Sequence, residues 1–177
     1  MKKIALPAIC VAAICLFHSC ADPQRAKNYN NETQLDESAL NFVRTAAEAG
    51  HTEIAASQAA EKDSKNPRVT AFAQMMVNDH TKAGAQLDTV ANHNEADLPP
   101  RPTQQHQKVI DSISRLSGEQ FDKAYMQMMV KDHEAAVGLF TDNKDNRASV
   151  IKKYVEKTLP VIQMHLDSAK AILASLK

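Results

Sequence analysis

The sequence predicts an all-α fold, a four-helix bundle in which a long crossover carrying its own short helix joins the second and third long helices. Three observations predict it. The 177 residues include four glycines and no tryptophan, and they are rich in Ala, Lys, Glu, Gln, Met and Leu, a composition that favours helices over strands. Apolar residues recur at alternating three- and four-residue steps through four long stretches, with no strand-like alternation. One phrase also occurs twice. Gln74-Met75-Met76-Val77-Asn78-Asp79-His80 returns as Gln127-Met128-Met129-Val130-Lys131-Asp132-His133, each with an aromatic residue two places upstream, Phe72 and Tyr125.

Residues 1–19 read as an export signal. Lys2 and Lys3 supply the positive start, and the apolar run 4–17 is shorter than the roughly 20 residues a membrane span needs. Ser19-Cys20 after that run resembles a lipoprotein cleavage site, which makes Cys20 the expected lipid attachment point. An ordinary cleaved signal with an incidental cysteine is the alternative. If Cys20 is the first mature residue, Cys10 and Cys15 leave with the signal, and the domain must fold without disulfides. The polar stretch 20–35 reads as a lipid-anchored tether and 36–177 as the folded domain. The expected location is the cell envelope, anchored through the N-terminal lipid and facing the periplasm from the outer membrane. Lys plus Arg equals Asp plus Glu, 21 of each, and no basic cluster occurs, which excludes a nucleic-acid binder. Any protein partner is left open.

The first helix is expected over 36–62, with Asp36 as N-cap. Its narrow stripe is Val43, Ala46, Gly50, Glu53, Ser57 and Ala60. Gly50 in mid-helix costs up to about 1 kcal/mol relative to alanine, which points to close packing or a site nearby. Asn66 followed by Pro67 starts the second helix, 67–92. Its seam is Val69, Ala73, Met76, His80, Ala83, Leu87 and Val90. Pro99, Pro100 and Pro102 then forbid helix. A short helix over 103–116 follows, with Val109, Ile113 and Leu116 as its apolar face. Ser117 and Gln120 resemble a capping box. The third long helix, 119–142, carries Met126, Met129, His133, Ala136 and Phe140 on its seam. The fourth, 147–176, carries Ile151, Val155, Thr158, Ile162, His165, Ala169, Ile172 and Leu176, with Pro160 expected to kink it.

The link 92–118 is long enough to cross the bundle and make the second and third helices parallel, which puts His80 and His133 at one height. A bundle with one such crossover is the ferritin-like arrangement. The phrases Phe72-Ala73-Gln74-Met75-Met76-Val77-Asn78-Asp79-His80, Phe121-Asp122-Lys123-Ala124-Tyr125 continuing to Asp132-His133, and Leu159-Pro160-Val161-Ile162-Gln163-Met164-His165-Leu166 resemble a bacterial family of exported ferritin-like domains. That family is catalogued as a domain of unknown function and often labelled outer membrane protein. The resemblance runs from the first helix to the C-terminus. It implies the bundle and export, and no activity.

Ferritin-like di-iron sites take a glutamate from each of two helices and Glu-x-x-His from each of the others. This chain has one such motif, Glu48-x-x-His51; Val77, Val130 and Ile162 stand three residues before the seam histidines. Ferroxidase or oxygenase chemistry is therefore not expected, and Glu48 and His51 are the weaker candidates. The seam set is Glu53, His80, His133 and His165, one residue from each long helix. Three imidazoles and a carboxylate suit zinc, iron, manganese or copper(II), with Asp79 and Asp132 as groups that orient neighbouring imidazoles. Counting from the last turn, His165 should lie roughly 10 Å from the layer of His133. Met76 and Met129 each precede a seam histidine by four residues, a pairing that would suit copper(I), against the reading that they fill the core. No nucleophile elbow or phosphate loop occurs, so a hydrolase or nucleotide enzyme is not indicated, and whether the chain is an enzyme of another kind is left open.

Two readings follow. One is an anchored envelope domain that binds a transition metal for buffering or stress protection. The other is a structural or interaction module whose buried Asp-His pairs stabilise the bundle.

Overall fold

A computed structural model describes residues 35–176. Among these the chain forms five helices: α1 (Glu37–Asp63), α2 (Pro67–His93), α3 (Gln104–Ile113), α4 (Gly118–Asp142) and α5 (Ser149–Leu173). The expected leader, the Cys20 attachment point and all of the tether but Leu35 lie outside the described residues. Leu35 packs on the core, and its backbone N–H donates to Asn94 Oδ1 at 3.4 Å. Among the described residues no helix is long and apolar enough to cross a membrane.

The helix starts follow local chemistry. Asp36 Oδ1 accepts from the Ala39 N–H at 2.8 Å, and Asn66 Oδ1 accepts from Arg68 ahead of Pro67. Each cap satisfies a backbone donor that the first turn leaves without a partner. The expected capping box at Ser117 does not form. Its side chain makes no cap bond, and Gly118 enters α4 at φ 58°, a left-handed conformation that glycine adopts without penalty. α5 is shorter than the expected 147–176 at both ends, which leaves Leu176 beyond it, and it runs unbroken through Pro160. α3 also differs from expectation. Ile110 is its buried residue, whereas Val109 and Leu116 are exposed. A ten-residue helix lying across others needs only one inward position, and Ile110 fills it.

Two apolar clusters fix the helix directions. One joins the start of α1 (Phe42, Val43), the end of α2 (Leu87, Val90), the end of α4 (Phe140) and the start of α5 (Ile151, Tyr154). The other joins the end of α1 (Ala60), the start of α2 (Val69, Phe72), the start of α4 (Phe121, Tyr125) and the end of α5 (Ile172), with Ile110 of α3. Hence α2 and α4 run parallel, as the long crossover requires, and α1 and α5 run parallel against them. The molecule is an all-helical bundle. Phe42, Phe140 and Tyr154 pack edge-on or tilted at one end, and Phe121, Tyr125 and Phe72 meet at the other. Between the two clusters lies a polar layer.

Candidate metal centre

The layer is built by position on each helix. Glu53 sits near the middle of α1, 2% exposed; His133 and His165, 0% and 1% exposed, project from α4 and α5. His80 completes the set from α2, half-buried. The three imidazole rings lie with centroids 5.4 to 5.7 Å apart. One ring nitrogen from each can be chosen so that all three lie within 4.8 Å of one another.

The expected 10 Å offset of His165 is therefore absent from the rings. In a helix each side chain leans toward its own N-terminus. α4 and α5 run oppositely, so His133 and His165 lean toward each other and close most of the gap between their backbones.

Each ring has one nitrogen engaged and one without a partner. His133 Nδ1 donates to the Met129 carbonyl at 2.9 Å and lies 3.2 Å from Glu53 Oε1. His165 Nε2 donates to Asp79 Oδ2 at 3.2 Å. His80 Nδ1 lies 3.1 Å from Glu53 Oε2. Among the described residues, the buried side-chain polar atoms without a hydrogen-bond partner are Glu53 Oε1, His80 Nε2, His133 Nε2 and His165 Nδ1. A carbonyl can only accept, so His133 carries its proton on Nδ1 and keeps a lone pair at Nε2. The Asp79 carboxylate fixes the opposite tautomer in His165, with the lone pair at Nδ1.

Electrostatics keep the rings neutral. Burial, with the neighbouring histidines, lowers His80 to about 3 and His133 to about 4. Burial lowers His165 as well, with Asp79 pulling the other way. Burial pushes Glu53 well above the usual carboxylate range, and Asp132 and Glu48 add to that. Three neutral imidazoles with one nitrogen each within 4.8 Å of the others form a nitrogen donor set that suits a transition metal.

The sequence-derived candidates fall into distinct places. Glu53 joins the layer, but at the Nδ1 side of His80 and His133. Its oxygens lie 3.1 Å from His80 Nδ1 and 3.2 Å from His133 Nδ1, and the close cluster of three ring nitrogens is formed without it. Asp79 reaches His165 across the bundle, not its neighbour His80. Asp132 contacts no ring. It stands one residue before His133, about 100° around the helix, and lines a cavity with Glu48 and His106. Glu48 does not pair with His51. Its Oε1 accepts from His106 Nδ1 at 2.7 Å, Thr103 N–H at 2.8 Å and Thr52 Oγ at 3.1 Å, and His51 lines the cavity. Met76 and Met129 are fully buried in the apolar cluster, and Met129 serves the site through its backbone carbonyl. A Cβ on Gly50 would lie 3.9 Å from His80 Nδ1, so this glycine does stand beside the site.

Sequence reasoning missed His106, which sits in a short helix without a seam phase. It also missed the buried Ser57–Tyr125 hydroxyl pair, 2.8 Å apart, and the bond from Ser64 to buried Asp122. Ser57 on the predicted stripe was a signal that a polar partner would face it.

Fold and site together define a helical bundle with a buried three-histidine cluster. The family model described as Domain of unknown function (DUF4142) matches residues 24–172, and the chain belongs to that family. Among solved structures, the chain is similar to a "DUF305 fragment from Deinococcus radiodurans" at a TM-score of 0.73 and 12% identity, over 81% of this chain and 99% of that one. At that identity the likeness concerns the fold alone. No curated protein matches the chain.

Proposed function

We propose that this protein is an envelope lipoprotein, anchored through Cys20, whose ferritin-like bundle binds one transition metal ion through His80, His133 and His165. Glu53 and Asp79 orient the rings, and the role is metal buffering or protection against metal stress. The observation that carries the reading is that three histidines from three helices bring one ring nitrogen each within 4.8 Å of the others, while each ring also leaves a buried nitrogen without a hydrogen-bond partner. A purely structural network would satisfy those nitrogens, because each buried polar group left unpaired costs roughly 1–3 kcal/mol. The donor set, all imidazole in its inner positions, fits zinc, iron, manganese or copper(II). Thioether ligation of copper(I) has less support, since Met76 and Met129 belong to the apolar cluster.

The test is elemental analysis of the domain from Asp22 onward, purified without chelator, followed by titration with zinc, iron(II), manganese and copper(I). Near-stoichiometric metal, lost in a His80→Ala, His133→Ala double variant that stays folded, is the expected result. A protein that binds no ion above background, with the double variant losing only stability, would leave the histidines as bundle architecture. Fractionation of cells expressing the full chain, beside a Cys20→Ser variant, tests the anchor.

A further inference from the structure

Beside the histidine layer lies a cavity of about 480 Å³, walled by α1, α2, α4 and α5 with His106 of α3. Its volume falls within the range of small-molecule sites. Half of the lining residues are alanine, glycine, Leu87, Leu139 and the aromatic residues Phe140 and Tyr154. The charged side chains on that wall are all acidic: Glu48, Glu53, Asp88 and Asp132, with neither lysine nor arginine among them. The other titratable lining groups are His51, His80 and His106, of which His80 Nδ1 lies 3.1 Å from Glu53 Oε2 and His106 is engaged by Glu48. Glu53 is 2% exposed and keeps Oε1 without a hydrogen-bond partner.

We infer that this cavity binds a small organic cation, a primary ammonium group on an apolar or aromatic body. Glu53, backed by Asp132 and Glu48, receives the ammonium, and the wall of Leu87, Phe140 and Tyr154 takes the body. Three features select this class. An anion would meet four acidic side chains and neither lysine nor arginine. A neutral apolar molecule would leave the buried Glu53 oxygen unpaired. An ammonium supplies the missing donor and the opposite charge together, and aromatic walls favour cations. The inference does not rest on the metal reading.

The experiment uses chelator-treated, metal-free protein and follows benzylammonium, benzyl alcohol and benzoate by calorimetry and by shifts of the backbone amide signals. Benzylammonium is expected to bind at least about tenfold more tightly than benzyl alcohol, as one charge-assisted hydrogen bond provides, and benzoate not at all. Glu53→Gln should erase that preference. Gly84 lines the cavity, and a Cβ there would meet nothing within 4 Å. Gly84→Phe should therefore fold, fill the cavity and abolish benzylammonium binding while leaving metal uptake by the histidines unchanged. Equal binding of the alcohol, no binding of any probe, or binding that survives Gly84→Phe would overturn the proposal. Metal titration of the same samples is scored separately, so either reading can fail alone.

Discussion

At the scale of single residues, the site is a problem of tautomers. An imidazole offers a metal one lone pair, and the other nitrogen must be held elsewhere. Asp79 holds His165 in this way across the bundle at 3.2 Å, while Asp132 faces the cavity. Asp79→Ala should therefore weaken metal affinity by about 10- to 100-fold, the usual cost of losing an orienting carboxylate. Asp132→Ala should change it much less, as competition against a chromophoric chelator would show. Acid should also destabilise the metal-free domain. The unfolded chain takes protons on histidine near the usual value of 6.5, whereas folded His80 and His133 refuse them until about 3 and 4. Below 6.5 the unfolded state thus binds more protons, and stability falls as pH falls. Glu53 and Asp132, raised by burial, work in the opposite sense, losing stability as pH rises, but they are two groups against three lowered histidines. Melting of metal-free protein should occur on the order of 5–10 °C lower at pH 5 than at pH 7, since each kcal/mol moves Tm by a few degrees in a domain of this size.

At the scale of elements, the crossover helix α3 is the weakly held part. It buries Ile110, packs Ile113 against the same apolar cluster, and is held at its start by Glu48, whose Oε1 accepts from His106 and from the Thr103 N–H. A carboxylate at a helix N-terminus also meets the positive end of the dipole. Nearby groups hold Glu48 below the usual value even though burial raises it. Glu48→Ala should speed hydrogen exchange across α3 while the amides of α1, α2, α4 and α5 keep their protection. Loss of protection in α4 as well would show that the crossover supports the bundle. At the other hairpin, Asn66→Ala removes the α2 cap and should cost about 1 kcal/mol by chemical denaturation.

At the scale of the molecule, the polar layer separates two apolar clusters and draws a side chain from each long helix. A ligand that bridges α2, α4 and α5 ties both hairpins together. Metal at about 100 times its Kd should add about 2.7 kcal/mol to stability by mass action. That corresponds to a rise in Tm on the order of 5–10 °C, absent from the His80→Ala, His133→Ala variant. Calorimetry at several metal concentrations would show whether Tm climbs as the linkage requires.

Much of this was legible in the chain. Periodicity fixed the helices, Asn66-Pro67 and Asp36 fixed their starts, and the link 92–118 implied parallel α2 and α4. The repeated seam histidines named three members of the site, because a polar residue on an apolar seam must face the interior wherever the seam packs. Other features depended on distance between helices. No local pattern shows that Glu48 leaves His51 for His106, that Asp79 serves the histidine of another helix, or that Glu53 stands at the Nδ1 side of two rings. Those pairings arise from the order in which four helices surround an axis and from the lean of side chains on antiparallel neighbours. By itself the sequence determined which faces are buried and which histidines enter. Only the tertiary structure decided which nitrogen keeps the lone pair, because a tautomer is set by a partner that lies 4 residues away in one case and 86 in another.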